Sequence, residues 1–204
     1  MSNGFLSKAY SARDAASTQQ LYDEWSASYE AEVRENGYAT PGRSAEALAA
    51  HLSDLSQPVL DFGCGTGLSG LALKLTGFDV IDGLDISEDM LRIARGKGLY
   101  RNLSLISAGA TPPHQPGAYA AIAAVGVIGS GAAPIDVFDT LMGGLAPGGL
   151  LVLSFNDHAL EDPIHEDRLD RWIADGKATL RFKEYGPHLP GIGLKSNVYI
   201  VEKK

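Results

Sequence analysis

The sequence predicts an α/β fold, a mainly parallel sheet of seven strands with an antiparallel edge at its C-terminal end. Three observations predict it. From Pro58 to Gly176, short apolar runs of strand length alternate with amphipathic stretches of helical period, which is the pattern of parallel βα units. A glycine-rich loop, GCGTG at residues 63–67, joins the first of these runs to a helix. The last two runs, ATLRFKEY and KSNVYIVEK, follow one another with no helix between them, so they pair antiparallel.

The elements follow in order. Leu21, Trp25, Tyr29 and Val33 fall at i, i+4 spacing, which predicts an amphipathic helix over 18–35, stopped by Asn36-Gly37. A second helix, rich in Ala and Leu, is expected over 42–55. PVLDF is the first buried strand, and the helix after the glycine loop runs over 66–75. DVIDGLDIS holds the second strand. SEDMLRIARGKG is a helix capped by Ser87 and stopped at Gly96 or Gly98. LSLIS and AYAAIAAVGVI are the third and fourth strands. A helix over 135–145 ends in the APGG turn before the fifth strand, GLLVLSF. DPIHEDRLDRWIADG is a helix with Pro163 near its start. The segment GPHLPGIG reads as the loop between the last two strands. The whole chain is expected to be one domain: an N-terminal helical cap over 1–56, a ligand-binding core over 57–157, and a C-terminal helix with edge strands over 158–204.

Composition narrows the function. Seventeen Lys and Arg stand against 25 Asp and Glu, a formal charge of −8. Nucleic-acid binders carry a basic face that displaces counterions, so nucleic acid is not the expected partner. No run is long and apolar enough to span a bilayer, the N-terminus lacks a signal-peptide core, and Cys64 is the only cysteine. These features predict a cytoplasmic protein that acts on small molecules. Oligomeric state is not legible.

The glycine loop lies where open α/β sheets bind ligands, at the carboxyl ends of the strands. Asp85 ends the second strand, where an acid accepts from a ribose. Gly65-Thr66-Gly67-Leu68-Ser69-Gly70 also fits the GxGxxG pattern of nicotinamide sites. Asp61 decides against that. A carboxylate at the strand end repels a pyrophosphate at close range and attracts an ammonium or sulfonium. The ligand expected is therefore locally cationic, as S-adenosyl-L-methionine is.

VLDFGCGTG, GLDIS-EDML and LAPGGLLVLSF, in this order, resemble the class I S-adenosylmethionine-dependent methyltransferases. YDEWSASYE and KGLYRNL are similar to the Williams–Beuren-region methyltransferase-like family. The resemblance implies a Rossmann-like sheet with helices on both faces. It implies that Asp61 meets the methionine ammonium, directly or through water, and that Gly63, Gly65 and Gly67, with Cys64 between them, let the backbone pass beside methionine and ribose. Asp85 takes the ribose hydroxyls, and Ile86 and Met90 pack on the adenine. The Ala110 amide, beside Gly109, meets the adenine ring. Val125 and Gly126 line the path to the methyl group. Tyr22 or Tyr29 faces the cofactor from the N-terminal helix, while Trp25 belongs to the core.

The pattern is broken in three places. Gly109 stands where an adenine-binding acid is common, with Ser107 or Gln115 as substitutes. Tyr119-Ala120 stands for an "fD" pair, and Ala132 for a histidine. These breaks keep open a catalytically silent protein that binds S-adenosylmethionine or S-adenosylhomocysteine; an NAD(P)-dependent oxidoreductase is the more distant alternative. Methyl transfer needs alignment above all, so no strict catalytic signature is required. His158, directly after the fifth strand, is the candidate catalytic histidine, with His114 and His188 behind it. The acids and histidines of 158–167 read as a solvated helix start suited to the helix dipole rather than a metal site.

Overall fold

A computed structural model describes residues 28–129 and 132–204. Helix α1 occupies residues 28–35 of the described chain and ends at Gly37, whose φ is 72°. The elements that follow are α2 (Thr40–His51), β1 (Val59–Phe62), α3 (Leu68–Thr76), β2 (Ile81–Asp85), α4 (Glu88–Gly96), β3 (Asn102–Leu105) and β4 (Ala121–Ala124). Then come α5 (Asp136–Gly144), β5 (Leu150–Asn156), α6 (Asp157–Leu160), α7 (Ile164–Ala174), β6 (Ala178–Leu189) and β7 (Leu194–Lys203). A single 3-10 turn, Pro190–Ile192, joins the last two strands.

The seven strands form one sheet in the order β3-β2-β1-β4-β5-β7-β6. β1 pairs parallel with β2 and β4, and β4 with β5. β7 lies antiparallel between β5 and β6. The order turns at β1 and β4, which places a crevice at their carboxyl ends. This is the Rossmann-like, mainly parallel sheet expected, with the antiparallel C-terminal strand inserted next to the edge.

The two sheet faces bury separate apolar layers. On one, Phe138, Leu141 and Met142 of α5 and Leu169 of α7 cover Leu151, Leu153 and Phe155 of β5. On the other, Ala45 and Leu48 of α2 and Leu73 of α3 cover Val59, Val152 and Ile200. Both layers read as near-continuous apolar runs because parallel strands are buried on both faces. Among the described residues no helix is long and apolar enough to cross a membrane.

Local chemistry explains the helix ends. Ser87 accepts from the Met90 amide at 3.2 Å, Glu88 and Asp89 sit in the first turn of α4, and Gly98 leaves it at φ 63°. Asp82 on β2 receives Arg101, Asn102 and the Tyr119 hydroxyl, so one carboxylate ties β2 to the starts of β3 and β4.

Several expectations are corrected. α2 starts at Thr40, not Gly42, and stops at His51, not Leu55. α3 begins only after the loop, at Leu68. The segment after β5 is two helices, because Asn156 caps a first short turn by accepting from the Ala159 amide at 3.0 Å. β6 does not end near Tyr185: Tyr185, Gly186 and Pro187 pair with Asn197, Ser196 and Lys195. His188 therefore lies in a strand rather than a loop. Pro187 is tolerated because β6 is an edge strand and its register shifts there.

Candidate active site

The carboxyl ends of β1, β2 and β4 open into one cavity of about 530 Å³. The loop after β1 forms its floor. Gly63, Gly65 and Gly67 have φ of 68°, 53° and 94°, values that only glycine adopts without strain. The Gly63 and Cys64 amides donate to the Leu84 carbonyl at 2.8 and 3.0 Å, and the Gly67 amide to Cys64 at 2.8 Å. Asp85 closes the loop from the next unit. Its Oδ2 accepts from the Gly65 amide at 2.8 Å and its Oδ1 from the Ser87 amide at 2.9 Å, and it lines the cavity.

Asp61 sits beneath the loop and is 1% exposed. Its Oδ2 accepts from the Ser69 hydroxyl at 2.6 Å and from the Tyr100 hydroxyl at 2.7 Å. Its Oδ1 is buried with no hydrogen-bond partner. Burial pushes the carboxyl up to about 6; the bonds from Ser69 and Tyr100 hold it back, and the Asp85 charge pushes it further. Asp61 itself does not line the cavity, whereas Ser69 does. A buried, half-satisfied carboxyl under a ligand cavity is an acceptor waiting for a donor or a cation.

The three glycines have different surroundings. A Cβ on Gly63 would lie 2.5 Å from Val127, and one on Gly67 3.2 Å from the Tyr100 ring. Only at Gly65 would it meet open space. Gly63 and Gly67 thus admit protein side chains; Gly63 and Gly65 both line the cavity, and at Gly65 the space beside the backbone is open. Cys64 lines the floor but is 3% exposed, and burial holds its thiol well above the ordinary range. It is a packing residue, not a nucleophile.

The remaining walls hold most of the expected residues. Ile86, Met90, Gly109, Ala110, Val125 and Gly126 line the cavity, as does Tyr29 from α1. Tyr22 and Trp25 lie outside the described residues. The Ala110 amide, expected to meet a ring, instead donates to the Ser107 carbonyl at 3.0 Å. Gly109 takes φ 74° in that turn, a conformation an acid there would hold under strain. Ser107 lines the cavity; Gln115 does not.

None of the three candidate histidines lines the cavity. His158 is on α6, 3.7 Å from Glu161. His114 packs against Tyr119 with ring centroids 5.0 Å apart. His188 is bonded to the Thr40 hydroxyl at 2.8 Å, and burial depresses it to about 4. The acids near α7 are partly built into the fold: Glu166 accepts from Tyr199 and pairs with Lys183, and His165 is buried against Phe155. Among the described residues no group of three or more His, Cys, Asp or Glu is placed to hold a metal ion. Two contributors were not foreseen. Tyr38 lines the cavity beside Gly126, and Tyr100 supports Asp61. The only sequence signal for Tyr100 was its place in KGLYRNL.

Fold and site together define a class. The methyltransferase domain family matches residues 33–188, and the chain belongs to it, with the sheet order of the class I enzymes whose cofactor is S-adenosylmethionine. Human methyltransferase-like protein 27 is 34% identical over 149 residues, 72% of this chain and 60% of its own length. The 18S rRNA (guanine(1575)-N(7))-methyltransferase of Saccharomyces cerevisiae is 33% identical over 118 residues, 51% of this chain and 43% of its own. The chain thus spans less than two thirds of these curated relatives. The crystal structure of magnesium protoporphyrin IX methyltransferase from Synechocystis with bound SAM superposes with a TM-score of 0.67 at 16% identity, covering 95% of this chain and 99% of that one. The human relative is itself named a methyltransferase-like protein, in keeping with the resemblance read from the sequence.

Proposed function

We propose that the protein transfers the methyl group of S-adenosylmethionine to a small-molecule acceptor by direct displacement, in a cytoplasmic setting, with residues 1–204 acting as a single domain. The observation that carries this reading is the unpartnered, buried Oδ1 of Asp61 under a glycine loop that bares its backbone at Gly65. Such a floor suits a ligand with a cation and no phosphate. Asp61 would receive the α-ammonium, with Ser69 and Tyr100 holding the carboxyl in place. Asp85 would accept from the ribose hydroxyls, Ile86 and Met90 would pack on the adenine, and the Tyr29 ring would face the sulfonium, where a cation–π contact stabilises it.

Bound there, S-adenosylmethionine supplies a methyl carbon already activated by its sulfonium. What the chain adds is position and dryness. The apolar walls at Val125 and Val127 would help keep water from the path, and Tyr29 and Tyr38 line the same cavity. His158 has no place in this chemistry, being outside the cavity.

Calorimetric titration with S-adenosylhomocysteine, S-adenosylmethionine and NADH tests the reading. Micromolar binding of the two adenosyl compounds, lost in Asp61→Ala, with no NADH signal, is the expected result. NADH binding, or unchanged affinity in the variant, overturns it.

A further inference from the structure

We infer that the acceptor is an apolar small molecule whose methyl-accepting atom is already a nucleophile in water, so that the protein removes no proton from it. This rests on the transferase reading above and names its substrate class. The cavity has two unlike ends. The loop end carries Ser69, Thr66 and Asp85; the other is walled by Val125, Ala132, Ala133, Pro134 and Val137, with Thr140 beside Val137. Among the described residues no His, Lys, Arg or Glu lines it, and Asp85, its only carboxylate, stands at the loop end with both oxygens holding backbone amides.

The titratable groups nearby are committed elsewhere. His188 lies behind Tyr38, ring centroids 5.2 Å apart, and is bonded to Thr40. Asp157 accepts from the Tyr185 hydroxyl at 2.7 Å and the Lys195 amide at 2.9 Å. Tyr29 and Tyr38 also line the cavity. A neutral phenol carries its own proton, so it can donate to an acceptor and orient its lone pair, but it does not take a proton.

Two consequences follow for the acceptor. Among the described residues an aliphatic hydroxyl meets no lining base that could take its proton, which disfavours alcohols. A thiolate, a phenolate or a neutral ring nitrogen needs no base. Its lone pair forms the new bond to the methyl carbon as the C–S bond breaks, the bonding pair stays on sulfur, and S-adenosylhomocysteine leaves; any acidic proton has gone to solvent before binding. Charge argues in the same direction. A phosphate-bearing acceptor would face Asp85 with no lining cation, and each pair of unit charges at 4 Å costs about 4 kcal/mol near a protein surface. Arg43, Arg95 and Arg101 pair with Glu184, Glu88 and Asp82, and the formal charge of −8 disfavours an RNA acceptor.

The test offers the protein and S-adenosylmethionine a panel of ring-substituted thiophenols and phenols, quinoline, benzyl alcohol, adenosine 5′-monophosphate and an rRNA fragment. Turnover is expected for apolar thiols, phenols or quinoline, and for an ionisable acceptor the rising limb of kcat/KM against pH should move with that acceptor's own pKa. A second readout needs no turnover. Binding of a thiophenol to the S-adenosylhomocysteine complex, measured in buffers of different ionisation heat, should show no proton taken up by the protein. With S-adenosylmethionine kept saturating at every pH, a limb at one fixed pH for every acceptor, above all one abolished by Tyr38→Phe, overturns the inference. So does methylation of benzyl alcohol, or turnover confined to the nucleotide or the RNA. Cofactor binding with no methylation of any apolar member also overturns it while leaving the cofactor reading intact; absence of cofactor binding removes both.

Discussion

The Tyr100 hydroxyl donates to Asp61 Oδ2 at 2.7 Å, across 39 positions of sequence. The same ring fills the space over three glycines: a Cβ on Gly67, Gly70 or Gly83 would come within 3.2, 2.2 or 3.1 Å of it. The glycine pattern after β1 is thus set partly by a tyrosine from the end of the next βα unit. Burial and the adjacent Asp61 charge push the Tyr100 phenol well above its ordinary range, so it stays a donor.

Removing that donor while keeping the ring isolates its contribution. In Tyr100→Phe, Asp61 keeps Ser69 but loses one charge-supporting bond, worth about 1.5–3 kcal/mol. The carboxyl moves further up and is less ionised at pH 7. The expected result is S-adenosylhomocysteine binding about tenfold weaker by calorimetry, with little change in fold by circular dichroism. Unchanged affinity would mean that Tyr100 only packs.

Gly70→Ala tests the packing side. Its Cβ would fall 2.2 Å from the Tyr100 hydroxyl and 2.3 Å from the ring carbon that bears it. Such overpacking costs about 1–3 kcal/mol, read as a lower urea midpoint. Gly96→Ala is the control, since nothing lies within 4 Å of that position; it should gain about 0.5–1 kcal/mol through helix propensity. In Tyr100→Ala, the added methyl at Gly70 should cost nothing. Equal effects at Gly70 and Gly96 would refute the contact.

These contacts show what sequence could and could not reveal. The βα alternation, the loop and the acids at Asp61 and Asp85 were legible because each is encoded within a few residues. The Ser87 cap was legible for the same reason. Tyr100 was not, since its partner Asp61 lies on another element and a lone tyrosine carries no local signal, while Tyr38 was legible only as one of the N-terminal aromatic group with Tyr22, Trp25 and Tyr29. His188 was misplaced because Gly186, Pro187 and Pro190 read as a loop, while pairing with β7 carries the edge strand through Gly186 and Pro187 as far as Leu189. His158 was overvalued for a related reason. Sequence position put it at the right end of β5, but α6 starts at once and carries it away from the cavity lining.

The buried carboxyl gives a pH dependence with a definite sign. Desolvation leads, raising Asp61 from 3.8 to about 6; Asp85 adds to the rise, and Ser69 and Tyr100 oppose it. A carboxyl raised on folding contributes stability fully present below about 3.8 and lost as pH climbs through about 6. The gap corresponds to roughly 3 kcal/mol for the unliganded protein. The difference in unfolding free energy between wild type and Asp61→Asn should therefore change over pH 4–6 and be flat above 7. Cofactor affinity should move the opposite way in the wild type, weakening towards tenfold per pH unit below about 6 as the carboxylate that attracts the ammonium is neutralised. An affinity that is level from pH 5 to 8 would remove Asp61 from cofactor recognition.

Lys97 gives the last prediction, because it fastens α1 to the loop. Its ammonium donates to Glu30 on α1 and to the Thr66 carbonyl, the latter at 2.7 Å. Burial alone would raise the Glu30 carboxyl, but the bonds from Lys97 and Thr66 leave it below its ordinary value. The two side chains are 23% and 26% exposed, so the pair is screened less than a surface one. Tyr29, next to Glu30, lines the cavity, and the latch therefore holds a cavity wall. Lys97→Met keeps the aliphatic stem and removes the charge. It should weaken S-adenosylhomocysteine binding several-fold, equivalent to about 0.5–1.5 kcal/mol, and speed amide exchange across residues 28–35. Arg92→Met is the matched control. It removes a pair with Asp89 whose side chains are 70% and 49% exposed, and such pairs contribute at most about 1 kcal/mol to stability. Its binding and exchange should stay as in the wild type. If the two variants behave alike, α1 is held by its apolar face and not by Lys97.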